Sequence, residues 1–546
     1  MARYPAGDAP QSIFSANASA RSRAAGAPHT ALALSAVSRA VAQVLGTPRT
    51  AIAMRSRAGD VAAASGFIGI PGQTFNFYIS PTGSDSNPGT LTLPWAVTAV
   101  NTKRATYAGQ RVGFLPGNYD VSGLMGTNEA VAALTIAGGT SSANQTYFGS
   151  SDASGFYLRG TATLDAKGAS GLFGGGNANA SPIMAARSGT NFWTIDGLRF
   201  TGFSMWAFHV GDSPSGGNGP TNWTIQFCEF TGGSAQNNTV SNGVNLGPII
   251  NYSGSSGLVT QNYFHDNLGW TDPLHFSCIY QWGLGNSATV GNIYSFNTVV
   301  NSSNFQGKEA TQYNTEIAYN YFDMTLCASG TDVTAAPIFG FMADNGLGTL
   351  SKFHHNVMLH QGMGIVLYNT NIASTYVRTP AHVYNNTFVA VSEHAAGMLI
   401  GGYVNTGSGG TTHNVSSWNN LFWDNGIAAN AYGYVMTGID LFALSDFNMY
   451  GGWNLWGSVP DSSSGSTPLT AYHTLAAFRT GFGTDANSLT NTANPFTNGG
   501  TFADQFHVLS GSPAFNAGRI GGLITGAQCN MGAWDGTGRP GATWVS

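Results

Sequence analysis

Two short segments gather side chains that could do acid–base chemistry on a sugar. The first, FHDNLGWTDPLHF at 264–276, places His265, Asp266, Asp272 and His275 beside Trp270. Carboxylates and imidazoles move protons, and an indole offers a face to a sugar ring. Asp266 and Asp272 are therefore candidate catalysts, with His265, Trp270 and His275 as candidate glycan contacts. The second segment, NFQGKEATQYNTEIAYNYF at 304–322, adds Lys308, Glu309 and Glu316. Glycoside hydrolysis needs two carboxyl groups across the scissile bond, one protonated and one ionised, and Asp266, Asp272, Glu309 and Glu316 are the candidates for that pair.

Elimination is the other way to cut a polysaccharide. It requires a base beside a uronate and positive charge to hold the carbanion. Between 200 and 377 the only lysines or arginines are Lys308 and Lys352, too few to neutralise a polyanion. Hydrolysis is thus the expected reaction if there is turnover. Lys308 would be the base only in an elimination, the one case that would also call for calcium; otherwise no cofactor is expected. His354, His355 and His360 stand at i, i+1 and i+6 across a bend, a spacing that should send their side chains in different directions. No metal site is expected there, and His354 is placed with Lys352 among the glycan contacts.

The elements that must position these residues repeat. A hexapeptide with apolar residues alternating on either side of a fixed corner occurs nine times, from IDGLRF at 195–200 to SDFNMY at 445–450. The corners are Leu198, Cys228, Asn262, Asn297, Asn320, Asn356, Asn386, Asn420 and Asn448. They lie roughly 25 to 35 residues apart, a period that marks stacked coils, and the alternation within each phrase is that of a strand. Asn at the corner is expected to take the left-handed backbone and to hydrogen-bond along the stack. This register predicts a right-handed parallel β-helix. It also sets Glu316 and Lys352 four residues before their corners, and Arg199 and Glu229 one after theirs, each pair on neighbouring coils.

Both ends carry a resemblance. FYISPTGSDSNPGTLTLPWAVTAVN at 77–101 and RVGFLPGNYDV at 111–121 resemble the opening of pectate-lyase-like β-helix proteins. GSPAFNAGRIGGLITGAQCNMGAWDG at 511–536 is similar to their closing segment, and GTATLDAKG at 160–168 resembles an early coil in which Asp165 would be a turn residue. That superfamily contains lyases, hydrolases, adhesins and bacteriophage tailspikes, so the resemblance implies a fold and leaves the chemistry open.

Composition agrees with a solenoid. The chain has 546 residues, 74 glycines and only 8% charged side chains, which fits many turns around a stacked interior and a polar surface suited to carbohydrate. Cys228, Cys278, Cys327 and Cys529 form no CxxC and read as buried small residues. Residues 486–546 are expected to cap the last coil.

Charge divides the chain. Residues 1–65 hold seven arginines against Asp8 and Asp60, a net of +5, whereas the rest carries −10. Thr30 to Leu45 is the only helical pattern in this arm, and Arg39 interrupts what would otherwise be a secretory apolar run. No window is long and apolar enough for a membrane span, and a nucleic-acid partner is not expected. A basic arm at 1–72 joined to a β-helix at 73–485 resembles the plan of a phage tailspike. It implies a homotrimeric virion protein whose arm docks on tail proteins and whose helix recognises, and can cleave, a cell-surface polysaccharide. A secreted polysaccharide lyase or glycosidase, and a non-catalytic adhesin, are the alternatives.

Overall fold

A computed structural model describes residues 73–126, 131–167, 181–203, 206–212, 219–233, 248–252, 254–267, 278–282, 289–302, 305–308, 312–323, 338–341, 351–359, 365–370, 381–389, 396–403, 415–423, 432–437, 445–451, 456–459, 470–472, 474–482, 484–497, 502–520, 527–534 and 540. The arm at 1–72, with its expected helix at 30–45, lies outside these residues. The rest is a right-handed parallel β-helix. Three sheets of 12 strands run along it, and each coil gives one strand to each sheet. One coil comprises Trp193–Asp196 in the first sheet, Arg199–Thr201 in the third and Phe208–Val210 in the second. The next repeats the order with Thr221–Gln226, Glu229–Thr231 and Ile249–Tyr252.

Alternation decides which side chains are buried. In the first sheet Phe148, Ile195, Ile225 and Val259 are stacked Cα partners facing the interior. In the third sheet the inward column is Phe200, Phe230 and Phe264, whose rings lie parallel at 5.0 and 4.9 Å. Burying each such ring stabilises the stack by several kcal/mol, on the order of 3–5 by analogy with phenylalanine truncations. Cys228 and Cys278 are buried, as the sequence suggests, and Cys228 packs within this core.

From Trp193–Asp196 onward only two residues separate each first-sheet strand from the third-sheet strand that follows, and this tight corner corrects one expectation. The left-handed residue is not the corner Asn but the one before it. Phe227, Gln261, Phe296, Tyr319, His355, Asn385, Asn419 and Phe447 have φ between +53° and +58°, and Gly197 has +68°. The Asn itself points inward and forms a ladder. Asn386 donates from its backbone N–H and its Nδ2 to Asn420 Oδ1, and from Nδ2 to the Phe353 carbonyl, each at 3.0 Å. Its own Oδ1 accepts from the N–H and Nδ2 of Asn356 at 3.1 and 3.0 Å. The desolvation cost of a buried amide is offset when its donors and acceptor are all engaged, which an aliphatic residue here could not match because it would orphan the neighbouring polar groups.

The ladder ends on Ser488, whose Oγ accepts from the Asn448 N–H at 2.9 Å and donates to buried Asp485 at 2.6 Å. The segment beyond it packs along the flank of earlier coils. Phe496, Phe506, Ala514 and Met531 pack with Tyr321, Val357, Leu421 and Met449 in a second apolar cluster. Tyr321, Val357, Leu421 and Met449 belong to one outward column of the third sheet, so the C-terminal segment is a strap along the flank. Gly532 N–H bonds to the Asn419 carbonyl at 2.7 Å and Ala533 N–H to Thr387 Oγ1 at 2.8 Å, fixing its place.

Candidate functional site

The outward face of the third sheet changes character along the helix. The strap packs on the apolar column that begins at Tyr321, while the earlier coils carry Arg199, Glu229 and Tyr263 in that column. Thr231 and His265 are partners in the adjacent outward column. From there His265 reaches diagonally back one coil, so that its Nε2 lies 2.9 Å from Glu229 Oε1. The other ring nitrogen, Nδ1, lies 2.9 Å from Asp266 Oδ2 and 3.4 Å from Thr231 Oγ1. Arg199 Nε approaches the same Glu229 oxygen at 3.4 Å, and the Tyr263 ring stacks on the imidazole at 4.2 Å. Asp266 has φ +52° at the end of its strand, and Asn301 Nδ2 on the next coil donates to its Oδ1 at 3.3 Å.

Exposure grades across this cluster. The Glu229 and His265 side chains are 8% and 14% exposed, whereas Asp266 is 59% exposed. Burial alone would lower the His265 pKa, but hydrogen bonds to Glu229 and Asp266 outweigh it and hold the imidazole above its usual value of 6.5. For Asp266, burial raises the pKa and the bonds from His265 and Asn301 more than offset it, leaving the carboxyl below its usual range. The cluster thus offers an accessible carboxylate, held below its usual pKa and oriented by the His265 ring and Asn301. An exposed, ionised carboxylate can accept a proton from water.

The remaining candidates separate. Glu316, Lys352 and His382 are Cα partners on three successive coils on the outward face of the first sheet, across the Asn corner. This bears out the register expected for Glu316 and Lys352. His354 lies in the next column with Nε2 3.4 Å from Glu316 Oε1. Its ring continues a stack through Tyr384 and Trp418 at 4.6 and 4.8 Å. The faces between these rings are taken up by each other, so the stack contributes packing along the coils.

His354 and His355 do not diverge, which corrects the expectation from their spacing. The left-handed backbone of His355, φ +55°, turns its ring back until the two Nδ1 atoms are 2.7 Å apart. Lys308 ends the second-sheet strand Phe305–Lys308, a different sheet from Glu316. Trp270, Asp272, His275, Glu309 and His360 lie outside the described residues. Asp165 accepts from the Lys167 N–H at 2.7 Å just before Lys167 enters φ +51°, the local bond of a turn residue. Among the described residues no cluster of three or more His, Cys, Asp or Glu is arranged to hold a metal ion.

The register expected from the sequence sets Glu229 beside Arg199, as observed, but does not place it in this constellation. The register pairs Glu229 with Tyr263, and the contact that matters is the diagonal to His265. Asn301 was also missed; its position one residue past the strand end, directly above Asp266, was the available signal.

No family model and no curated protein matches the chain. Among solved structures, it resembles a polygalacturonase from Erwinia carotovora ssp. carotovora at 10% identity, covering 72% of this chain and 95% of that one, with a TM-score of 0.37. A polysaccharide lyase of family PL6 from Pseudopedobacter saltans matches at 12% identity over 79% and 99%, TM-score 0.36. A mannuronic acid specific family 6 lyase from human gut microbiota matches at 9% over 71% and 83%, TM-score 0.36. These values assign no residue and no reaction to this chain.

Proposed function

We propose that this β-helix recognises a polysaccharide and hydrolyses it at the third-sheet cluster. The observation that supports this most is His265 bridging Glu229 and Asp266 at 2.9 Å on either side, with only Asp266 open to solvent. In this reading Asp266 draws a proton from the attacking water while His265 and Asn301 orient it. Asp272, six residues further along, is assigned the protonation of the leaving oxygen. Arg199, 41% exposed, is a hydroxyl contact at the rim. The scarcity of cations still argues for a neutral or weakly charged glycan. The basic arm at 1–72 would attach the protein to a virion, as in a tailspike, with the helix turned toward the host surface.

The test is a panel of cell-surface and plant polysaccharides incubated with the full-length chain, scored for new reducing ends and for absorbance of an unsaturated product. Hydrolysis predicts reducing ends without that absorbance. Absorbance, abolished by Lys308→Ala, would replace the proposal with elimination. Binding with no cleavage of any polymer would leave an adhesin.

A further inference from the structure

Glu229 belongs to the third-sheet cluster but is nearly inaccessible, so its action must pass through the group it touches. It faces one ring nitrogen of His265 while Asp266 faces the other, each at 2.9 Å. A neutral imidazole has one N–H, and it would set a bare lone pair against one of these carboxylate oxygens. The imidazolium has two and satisfies both. The charged and titratable groups around the ring are Arg199 and Glu229 on the two preceding coils and Tyr263 and Asp266 on its own strand; Thr231 and Asn301 are neutral. With the ring protonated, two positive and two negative groups balance.

We infer that Glu229 is a positioning residue acting through His265: it keeps the ring doubly protonated, and the second N–H fixes Asp266. Asp266 is held from two sides, by His265 at Oδ2 and Asn301 at Oδ1, and loss of a ring proton leaves one N–H for two carboxylates that then compete for it. The inference rests on the assignment of Asp266 as the working carboxylate and adds an alkaline limit to the site. A group whose folded pKa is raised contributes fully below its unfolded pKa and loses that contribution as pH rises through the folded value. The double hold on the two carboxylates is therefore present below the usual imidazole value of 6.5 and weakens as pH rises through the raised folded one.

The experiment is a titration of full-length protein carrying ring-15N histidine, with the His265 signals assigned by His265→Gln. Both His265 nitrogens are expected to be protonated at pH 7. In Glu229→Gln, which keeps an acceptor but not the charge, the midpoint should fall by at least one pH unit, a tenfold change. On a cleaved polysaccharide the alkaline limb of kcat should move with it while KM stays constant, and Glu229→Asp should restore part of the range. A singly protonated ring at pH 7 in the wild type, or an unmoved midpoint in Glu229→Gln, overturns the inference. Full turnover by Asp266→Asn would instead sink the assignment of the site, and the ring titration would still decide whether Glu229 acts on His265.

Discussion

Acid should loosen the middle coils at His354. The His354 side chain is 8% exposed, within contact of Glu316 and stacked on Tyr384. Burial is the main cause that lowers its pKa from 6.5 to about 4, with Glu316 opposing and His355 assisting. The ring is therefore neutral at pH 7. Because the Glu316 carboxylate only accepts, His354 keeps its proton on Nε2, and Nδ1 accepts from His355 Nδ1–H. A folded pKa below the unfolded one stabilises above the unfolded value and is lost as pH falls through the folded one. From 6.5 down to about 4 this amounts to about 3 kcal/mol at 1.36 kcal/mol per pH unit. Native-state hydrogen exchange reads the effect locally, which matters because a long coil stack need not unfold in one step. Protection of Ser351–His354 and Ala381–Tyr384, corrected for intrinsic exchange, should fall on the order of 100-fold between pH 7 and pH 4. His354→Phe keeps the stack on Tyr384 and removes this titrating ring, so its protection should start lower, by about 1–3 kcal/mol for the orphaned His355 donor, and then fall less with acid than in the wild type, the remaining loss coming from His382 and Glu316. A His354 midpoint near 6.5, or an equal acid loss in His354→Phe, would refute the reasoning.

Two further outcomes follow from the fold. Asn386→Asp removes the amide donors to Phe353 and Asn420 and sets a carboxylate against two oxygens in a dry ladder, so chemical denaturation should show a loss of at least about 3 kcal/mol, or no soluble protein. Truncation after Asn494 uncovers Val357, Leu421 and Met449, and light scattering should show association driven by that apolar face, with increased binding of an apolar dye. Light scattering on the intact chain also tests the trimer expected of a tailspike. The strap covers the third-sheet flank of the later coils, so a trimer contact on that flank would involve the strap and not the sheet beneath it.

The fold was legible because one physical constraint recurs nine times. A parallel coil must bury alternate residues and satisfy a corner, and the spaced Asn residues record that requirement. The left-handed residue was not legible, since position −1 holds Phe, Gln, Tyr, His and Asn without a shared type; once neighbouring coils impose the bend, the side chain there need only stack or point outward. The site was half legible. His265 and Asp266 drew attention through residue type, but Glu229 joins them by a diagonal contact between coils that depends on side-chain reach beyond register. Asp196 shows the same limit: its buried carboxylate accepts from Tyr147 at 2.9 Å, from Tyr157, and from Gln226 at 2.7 Å, partners brought together by coil stacking from as far as 49 residues away. The strap was invisible for another reason, because nothing in the 486–546 composition says which flank it covers.

The most direct test of the central claim is the cleavage rate of Asp266→Asn on whichever polysaccharide the wild type hydrolyses, with glycan affinity measured alongside. Loss of a general base predicts a fall of about 100-fold or more in kcat with affinity retained. Wild-type turnover by Asp266→Asn would contradict the account and remove the third-sheet cluster from the chemistry.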